Sequence, residues 1–314
     1  MTSVPVIDVE NLSRDFQKIR ALDALTFSVA QGEIFGLVGP DGSGKTTCLR
    51  VLCGLIAPSG GRVFVLGKDV SRYPEAVRSE IGYMAQPAGL YDDLTVAENI
   101  EFYAALYDIP PTKYKERMER LLTFSGLAPF SKRYFRNLSG GMKQKAGLTC
   151  ALIHTPRVLF LDEPTNGVDP VSRRDFWKIL YELKREHVTI VVASTYLDEA
   201  DRCHRIAMFE NGSTKLIMPP MDMRRLMKGI LLNLTVTDRP AAIHALRRIP
   251  LVRQSSVFGS GIHVSITKQE DLAALKQGLS DFGITDFEMD RIQPTLEDIY
   301  LSLVASTPQE TPVK

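Results

Sequence analysis

The chain has 314 residues, enough for two domains, and its hydrophobic content of 44% and charged content of 24% are ordinary for globular proteins. Its formal net charge is only +1, so no overall electrostatic field draws the molecule to nucleic acid. No apolar run approaches the roughly 20 residues that cross a bilayer, and the polar first ten residues lack a signal-peptide core. Any membrane role is therefore expected to depend on a partner subunit.

The first predicted elements are short strands. Residues 4–9 and 25–29 alternate between apolar and polar side chains, which predicts strands with one buried face. Residues 33–38 are mainly apolar and predict a buried strand. Another strand is predicted over 62–67. The N-terminal part is therefore expected to contain antiparallel β structure beside a buried strand.

A glycine-rich loop follows the buried strand. Residues 39–47 read Gly-Pro-Asp-Gly-Ser-Gly-Lys-Thr-Thr, which matches the phosphate-binding pattern G-x-x-x-x-G-K-[ST]. Its glycines allow a tight curl that aims backbone N–H groups at a phosphate chain, and a helix predicted over 47–52 adds the positive end of its dipole. Lys45 is expected to reach the β- and γ-phosphates, and the Thr46 hydroxyl to bind Mg²⁺. The predicted nucleotide-binding residues here are Gly39, Pro40, Asp41, Gly42, Ser43, Gly44, Lys45, Thr46 and Thr47.

Residues 87–155 are predicted to be mainly helical. Apolar residues at helical spacing indicate a helix over 96–106 with Thr95 as its N-cap, and further helices over 115–127 and 142–153. The last helix follows the segment Leu-Ser-Gly-Gly at 138–141. There a serine can cap the helix, and two glycines let backbone N–H groups approach an anion closely.

Two carboxylates end the next buried strand, which is predicted over 158–161. Asp162 and Glu163 would lie at the carboxyl edge of the sheet, where ligands bind in open α/β folds. Asp162 is expected to hold Mg²⁺ through water, and Glu163 to act as base or positioning group for the attacking water. A further buried strand over 189–194 precedes Thr195. Strands and helices alternate from residue 156 onward, which predicts a mostly parallel sheet.

The pattern changes at residues 218–221, which read Met-Pro-Pro-Met, and a linker is predicted over 218–229. Beyond it the predicted order is β-α-β-β-α-β, with a Gly-Ser-Gly hairpin turn at 259–261. This order predicts a small ferredoxin-like α+β domain over 230–305, which ends in a helix that opens near Pro294. The tail over 306–314 is polar and is expected to be mobile. The predicted strands are 230–237, 251–258, 262–267 and 284–292, and the predicted helices are 241–248 and 272–282.

With these motifs in this order, the chain resembles the ATP-binding subunit of an ABC transporter over roughly residues 4–217. The resemblance implies a P-loop NTPase core of ABC type within 1–217, with antiparallel β and helical subdomains, the latter at about 87–155. In that family the Leu-Ser-Gly-Gly signature of one subunit completes the ATP site of a second subunit in a head-to-tail dimer. The resemblance therefore adds Ser139, Gly140 and Gly141 to the nucleotide-binding residues.

The resemblance assigns roles to other positions as well. Gln86 matches the glutamine that links Mg²⁺ and the attacking water to the membrane partner. Phe16 lies where the family places an aromatic ring against adenine, although a plain core phenylalanine fits the local sequence equally well. Residues 166–169 match the loop that touches the opposite subunit. Residues 90–94 would line the groove that receives a helix of the membrane subunit, or form a plain surface loop.

Two residues depart from the family pattern. Thr195 stands where the family has a histidine that contacts the γ-phosphate, and a threonine is shorter and cannot carry positive charge. Since losing one preorganised donor costs on the order of 10²–10³ in rate, weakened hydrolysis is a hypothesis. Asp41 replaces the usual asparagine. A carboxylate near polyphosphate would repel it, so a solvent-facing turn residue is expected.

The resemblance implies an ATPase that uses ATP and Mg²⁺ to power an ABC exporter of the drug-efflux branch. Its partners would be transmembrane permease subunits and a second ATP-binding subunit, in a homodimer or a heterodimer. It would lie peripherally at the cytoplasmic face of the inner (plasma) membrane. Four cysteines without a C-x-x-C pair or zinc spacing are typical of reduced thiols, which agrees with that location.

Other functions remain open at this point. Thr195 also fits a nucleotide-binding subunit whose own site is degenerate, slow or inactive and which supports a partner ATPase. A soluble ABC protein acting on ribosomes or DNA is a third possibility, although such proteins usually carry two ATPase domains or a long coiled-coil insertion. The C-terminal domain is expected to serve dimerisation or regulation, with small-molecule sensing as the alternative.

Overall fold

The structure, a computed structural model, describes residues 4–87 and 89–305. These residues form two compact units that divide between Met218 and Pro219. In the described ranges, no helix combines the length and the apolar character that a membrane crossing needs. The tail over 306–314, predicted to be mobile, lies outside the described residues.

The first unit contains two sheets and a group of helices, and its strands and helices are interspersed along the chain. Its elements are β1 (Ile7–Phe16), β2 (Ile19–Val29), β3 (Ile34–Val38), α1 (Lys45–Leu52), β4 (Gly60–Val65), β5 (Lys68–Asp69), α2 (Pro74–Arg78), β6 (Ile81–Met84), α3 (Val96–Leu106), α4 (Pro111–Ser125), α5 (Gly140–Leu152), β7 (Val158–Asp162), α6 (Pro170–Arg185), β8 (Thr189–Ser194), α7 (Leu197–Ala200), β9 (Arg205–Glu210) and β10 (Ser213–Met218).

The larger sheet has six strands in the order β10-β9-β3-β8-β7-β6. All its pairings are parallel except that of β9 with β10, which confirms the predicted mostly parallel sheet. Strands β3, β7 and β8 are buried at every position, and this explains their continuous apolar runs. Because these three strands are neighbours, the loops that follow their carboxyl ends meet at one edge of the sheet.

The smaller sheet is antiparallel, in the order β2-β1-β4-β5. One core joins its inner face to α1 and the larger sheet, with Val9, Phe35 and Leu49 among its fully buried members. The hairpin of β1 and β2 is longer than the predicted strands at 4–9 and 25–29. Its register shifts several times, so the alternation of buried and exposed residues is interrupted in the sequence.

Helices α3, α4 and α5 share a separate core that includes Ile100 and Ala146. Thr95 caps α3 as predicted, with Glu98 completing a capping box. Helix α4 runs over Pro111–Ser125, whereas the prediction was 115–127. It begins earlier because proline is tolerated in the first turn, and it ends earlier because Gly126 takes a left-handed conformation with φ of 71°.

The second unit contains α8 (Pro220–Arg224), β11 (Ile230–Val236), α9 (Arg239–Leu246), β12 (Val252–Phe258), β13 (Gly261–Ile266), α10 (Asp271–Asp281), β14 (Phe287–Ile292) and α11 (Leu296–Ala305). Its four strands pair antiparallel in the order β12-β13-β11-β14. This is the order of a ferredoxin-like βαββαβ sheet, so the predicted fold is confirmed. Leu234, Val264 and Leu275 belong to the core under α9 and α10. The predicted linker at 218–229 contains the short helix α8.

Candidate nucleotide-binding site

The loop between β3 and α1 curls around the side chain of Lys45. This side chain is 5% exposed, and its ammonium donates hydrogen bonds to the carbonyls of Gly39 at 2.8 Å and Pro40 at 3.0 Å. Gly44 has φ of 106°, and a Cβ there would lie 2.8 Å from the Ala21 carbonyl oxygen. The loop therefore requires glycine at this position and holds a cation at the start of a helix.

Glu163 faces this cation from the end of the neighbouring strands. Its Oε1 lies 3.5 Å from Lys45 Nζ, and its Oε2 accepts hydrogen bonds from the backbone N–H of Thr195 at 3.1 Å and the Thr195 hydroxyl at 3.3 Å. Burial raises the pKa of the Glu163 carboxyl, while the Thr195 bonds and the Lys45 charge oppose that rise. The carboxylate is thus buried, with one oxygen facing Lys45 and the other facing Thr195.

Asp162 meets the hydroxyl that follows Lys45. Thr46 Oγ1 donates to Asp162 Oδ1 at 2.9 Å, and the Tyr83 hydroxyl approaches Asp162 Oδ2 at 3.4 Å. Burial raises the pKa of the Asp162 carboxyl. Among the described residues, no group of three or more His, Cys, Asp and Glu could enclose a metal ion. Two oxygen donors beside a phosphate loop fit Mg²⁺, which is usually held by one or two carboxylates, waters and substrate phosphates.

A pocket of about 170 Å³ lies over these groups. Gln86 and Ala21 border it together with Glu163 and most of the loop. Asp41 borders the same pocket and is exposed to solvent. A larger cavity of about 500 Å³ lies between α4 and the end of α6, but it contains none of the motif residues. The loop residues at the smaller pocket are Asp41, Gly42, Ser43, Gly44, Lys45, Thr46 and Thr47.

Six predicted binding residues do not line this pocket, namely Gly39 and Pro40 at the start of the loop and four residues elsewhere in the chain. Phe16 ends β1 and is 43% exposed, so its alternative interpretation as a core phenylalanine is wrong. The guanidinium of Arg14 lies 4.6 Å from the centroid of its ring. Ser139 caps α5 by accepting a hydrogen bond from the Met142 N–H. The others, Gly140 and Gly141, form the first turn of that helix.

Sequence reasoning missed two features of this site. Tyr83 was not singled out, although a tyrosine three residues before Gln86 on a short buried strand was a signal for a hydroxyl near the sheet edge. The contact of Lys45 with Glu163 had no local signal, because 118 residue numbers separate the two side chains (163 minus 45). The parallel order of β3, β8 and β7 brings them together.

Comparison with known proteins shows which family the chain resembles. The family profile described as ABC transporter matches residues 22–166. A probable multidrug ABC transporter ATP-binding protein, YbhF of Escherichia coli K12, is 34% identical over 303 residues, which are 95% of this chain and 52% of that protein. This chain thus spans about half the length of YbhF.

Two other proteins resemble the chain. The daunorubicin resistance ATP-binding protein DrrA2 of Streptomyces coeruleorubidus is 31% identical over 314 residues, 98% of each chain. The solved structure of cbiO1 from Clostridium perfringens, part of the ABC transporter complex cbiONQ, has a TM-score of 0.66 at 25% identity. It covers 71% of this chain and 91% of its own. The chain belongs to the family of ABC transporter ATP-binding proteins.

Proposed function

We propose that this chain hydrolyses ATP and thereby powers an exporter through separate transmembrane permease subunits. The observation that carries this proposal is the buried Glu163 carboxylate, 3.5 Å from Lys45 at the phosphate loop. A carboxylate so placed can orient and deprotonate a water molecule next to a phosphate bound by the loop. The names of the relatives, which refer to multidrug transport and daunorubicin resistance, support export as the purpose.

Each residue of the site then has a distinct role. The backbone N–H groups of the loop bind the phosphates, and Lys45 turns its ammonium from the loop carbonyls to the β- and γ-phosphates. Thr46 and Asp162 hold Mg²⁺, with Gln86 at the edge of the pocket. When bound, the metal ion neutralises charge on the phosphate oxygens. Glu163 positions the attacking water.

The position of the signature supports a head-to-tail dimer. Ser139, Gly140 and Gly141 begin α5 and do not line the pocket that holds Lys45 in the same chain. Their backbone N–H groups are therefore proposed to contact the nucleotide of a second ATP-binding subunit, identical or different. A homodimer would carry Thr195 in both sites, whereas a heterodimer would carry it in one.

The remaining partners are permeases. Gln86 borders the pocket, so its loop can report the presence of nucleotide to a transmembrane subunit that docks nearby. The complex would place this chain peripherally at the cytoplasmic face of the membrane. Residues 1–217 would form the ATP-binding domain, and residues 230–305 a regulatory or dimerisation domain.

ATP turnover of the purified chain with Mg²⁺ tests the proposal. Glu163→Gln should bind ATP but lose on the order of 10²-fold or more in kcat, because the amide is not a base. Lys45→Ala should lose nucleotide binding. Lys68→Ala and Glu80→Gln are matched controls, since these two residues form an ion pair outside the pocket. Equal turnover by Glu163→Gln and the parent would refute the proposal.

A further inference from the structure

Two loops beside the pocket are tied to each other. We call residues 163–169 the post-β7 loop and residues 194–199, which run from the last residue of β8 into α7, the post-β8 loop. The first contact between them is that of Thr195 with Glu163, described above. Since the post-β7 loop carries the proposed base, the position of the post-β8 loop bears directly on the orientation of its carboxylate.

The second tie is the buried carboxylate of Glu199, which is 1% exposed. The hydroxyl of Thr165 in the post-β7 loop donates to Glu199 Oε1. The hydroxyl of Ser194 donates to Glu199 Oε2 at 3.2 Å and also accepts the backbone N–H of Tyr196 at 3.0 Å. Glu199 therefore binds one residue of the post-β7 loop and, through Ser194, the two residues that flank Thr195.

A cation at the start of α6 balances this carboxylate. Arg173 Nε lies 3.5 Å from Glu199 Oε1, an ion-pair distance without hydrogen-bond geometry. The same guanidinium lies 3.5 Å from Asp198 and 4.4 Å from the ring centroid of Tyr196. A buried charge is costly unless it is paired and hydrogen-bonded. The network therefore resists any separation of the two loops.

We propose that Glu199 is a positioning residue that couples the post-β7 and post-β8 loops, so that Glu163 and Thr195 keep their positions relative to each other. The inference rests on the proposed role of Glu163 in hydrolysis. Thr165 lies two residues after Glu163, and Ser194 lies directly before Thr195, so one carboxylate fixes the backbone close to both. Glu199 acts through these neighbours and does not border the nucleotide pocket.

The coupling has a consequence for the assembled dimer. The post-β7 loop includes residues 166–169, which are proposed to touch the second subunit. A displacement of that segment by the second subunit would pass through Thr165 and Glu199 to Ser194, and so to Thr195. Docking of the second subunit can thereby set the geometry of Glu163 without touching it.

The test compares Glu199→Gln with Glu33→Gln in the full chain. The amide replaces one acceptor oxygen of Glu199 by a donor and removes the charge that faces Arg173. Glu33 is a matched control: its carboxylate is 7% exposed and accepts hydrogen bonds from Arg205 at 2.7 and 3.0 Å. It precedes β3, whereas the phosphate loop follows that strand. Both changes break an ion pair made by a buried carboxylate of the first unit with a partly exposed arginine.

Two readouts separate a positioning role from a structural one. Glu199→Gln should lower kcat by on the order of 10- to 100-fold with KM for ATP nearly unchanged. Hydrogen exchange should become faster in both loops together. Glu33→Gln should lower the melting temperature comparably while changing neither kcat nor exchange in these loops. Thr165→Val, which removes one donor to Glu199, should change both readouts in the same direction as Glu199→Gln.

Other results would overturn the inference. Unchanged exchange in either loop of Glu199→Gln would show that its carboxylate does not couple them. An equal fall of kcat in Glu33→Gln would reduce the effect to general destabilisation. If the parent chain lacks turnover above that of Glu163→Gln, the proposed function fails, and the exchange measurement still decides whether Glu199 joins the loops.

Discussion

Thr195 replaces the histidine expected from the family, and its hydroxyl contacts a carboxylate. Oγ1 lies 3.3 Å from Glu163 Oε2, and the backbone N–H of the same residue lies 3.1 Å from that oxygen. The side chain thus adds a second donor to a buried carboxylate that faces Lys45 with its other oxygen. Through this hydrogen bond Thr195 can act on Glu163 without carrying a positive charge.

We predict that Thr195→Ser retains turnover and that Thr195→Val loses roughly 10- to 100-fold in kcat, because a hydrogen bond to a charged group contributes about 1.5–3 kcal/mol. Valine matches the shape of threonine but lacks the hydroxyl. Steady-state ATPase rates of both variants and of Thr195→His provide the measurement. Equal rates for serine and valine would show that the hydroxyl contributes nothing, and a faster histidine variant would show that the natural site is handicapped.

His154 is a half-buried residue whose protonation state affects stability. Its ring stacks on Tyr107 at 3.7 Å, and its Nε2–H donates to the Ile81 carbonyl at 2.8 Å. Nδ1 is buried and has no hydrogen-bond partner among the described residues. Burial lowers the pKa of His154 below its ordinary value. The unfolded chain therefore takes up the proton at a higher pH than the folded protein does.

We predict that the free energy of unfolding falls as pH decreases below about 6.5, because the unfolded state then binds more protons at this site. Above that pH both states hold a neutral ring, and His154 adds no pH dependence. The variant His154→Phe keeps the stacking but cannot titrate. Between about pH 8 and about pH 5, urea unfolding should show a smaller loss of unfolding free energy in the variant than in the parent. Carboxyl groups titrate in both proteins, so only the difference between parent and variant reports on His154. Parallel curves of unfolding free energy against pH would contradict the prediction.

At the scale of elements, the turn between β9 and β10 supports the phosphate loop. The N–H of Gly212 donates to the Ser43 carbonyl at 3.0 Å, and the N–H of Asp23 donates to the Gly212 carbonyl at 2.8 Å. The turn thus lies between the phosphate loop and β2. A Cβ at Gly212 would lie 2.8 Å from the Ala21 carbonyl oxygen, which leaves no room for a side chain.

We predict that Gly212→Ala destabilises the protein more than Gly67→Ala. The two glycines have φ of 77° and 74°, so alanine is similarly strained at both, but nothing lies within 4 Å of a Cβ at Gly67. The additional cost at Gly212 should be about 1–3 kcal/mol, the usual range for overpacking. Chemical unfolding gives the difference, and ATP affinity should fall only for Gly212→Ala. Equal destabilisation of the two variants would mean that the turn accommodates the added Cβ at no extra cost.

Sequence patterns predicted those elements whose burial is uniform. Strands β3, β7 and β8 are buried throughout and were placed within one residue. The β1–β2 hairpin was underestimated because its register shifts break the alternation. Helices α7 and α8 have four and five residues, too short for a helical period to show.

At the scale of the whole molecule, the sequence predicted the motifs but not the contacts between them. Each motif of the site is a local pattern, whereas the bond between Thr46 and Asp162 joins residues 116 positions apart. That contact depends on the order of the parallel strands, which periodicity does not specify. The network around Glu199 was missed for the same reason, since Thr165 is 34 positions away.

Each unit has its own core, so we predict that the two units unfold separately. Leu49 and Leu234 are fully buried in the first and second units. Replacing either by alanine should cost about 2–5 kcal/mol. In calorimetry of the full chain, Leu49→Ala should lower the midpoint temperature of one transition, and Leu234→Ala should lower that of the other. ATP should raise only the first midpoint temperature, by mass action. If one transition responded to both variants and to ATP, the units would share a single folding equilibrium, and the second unit would contribute directly to the stability of the nucleotide site.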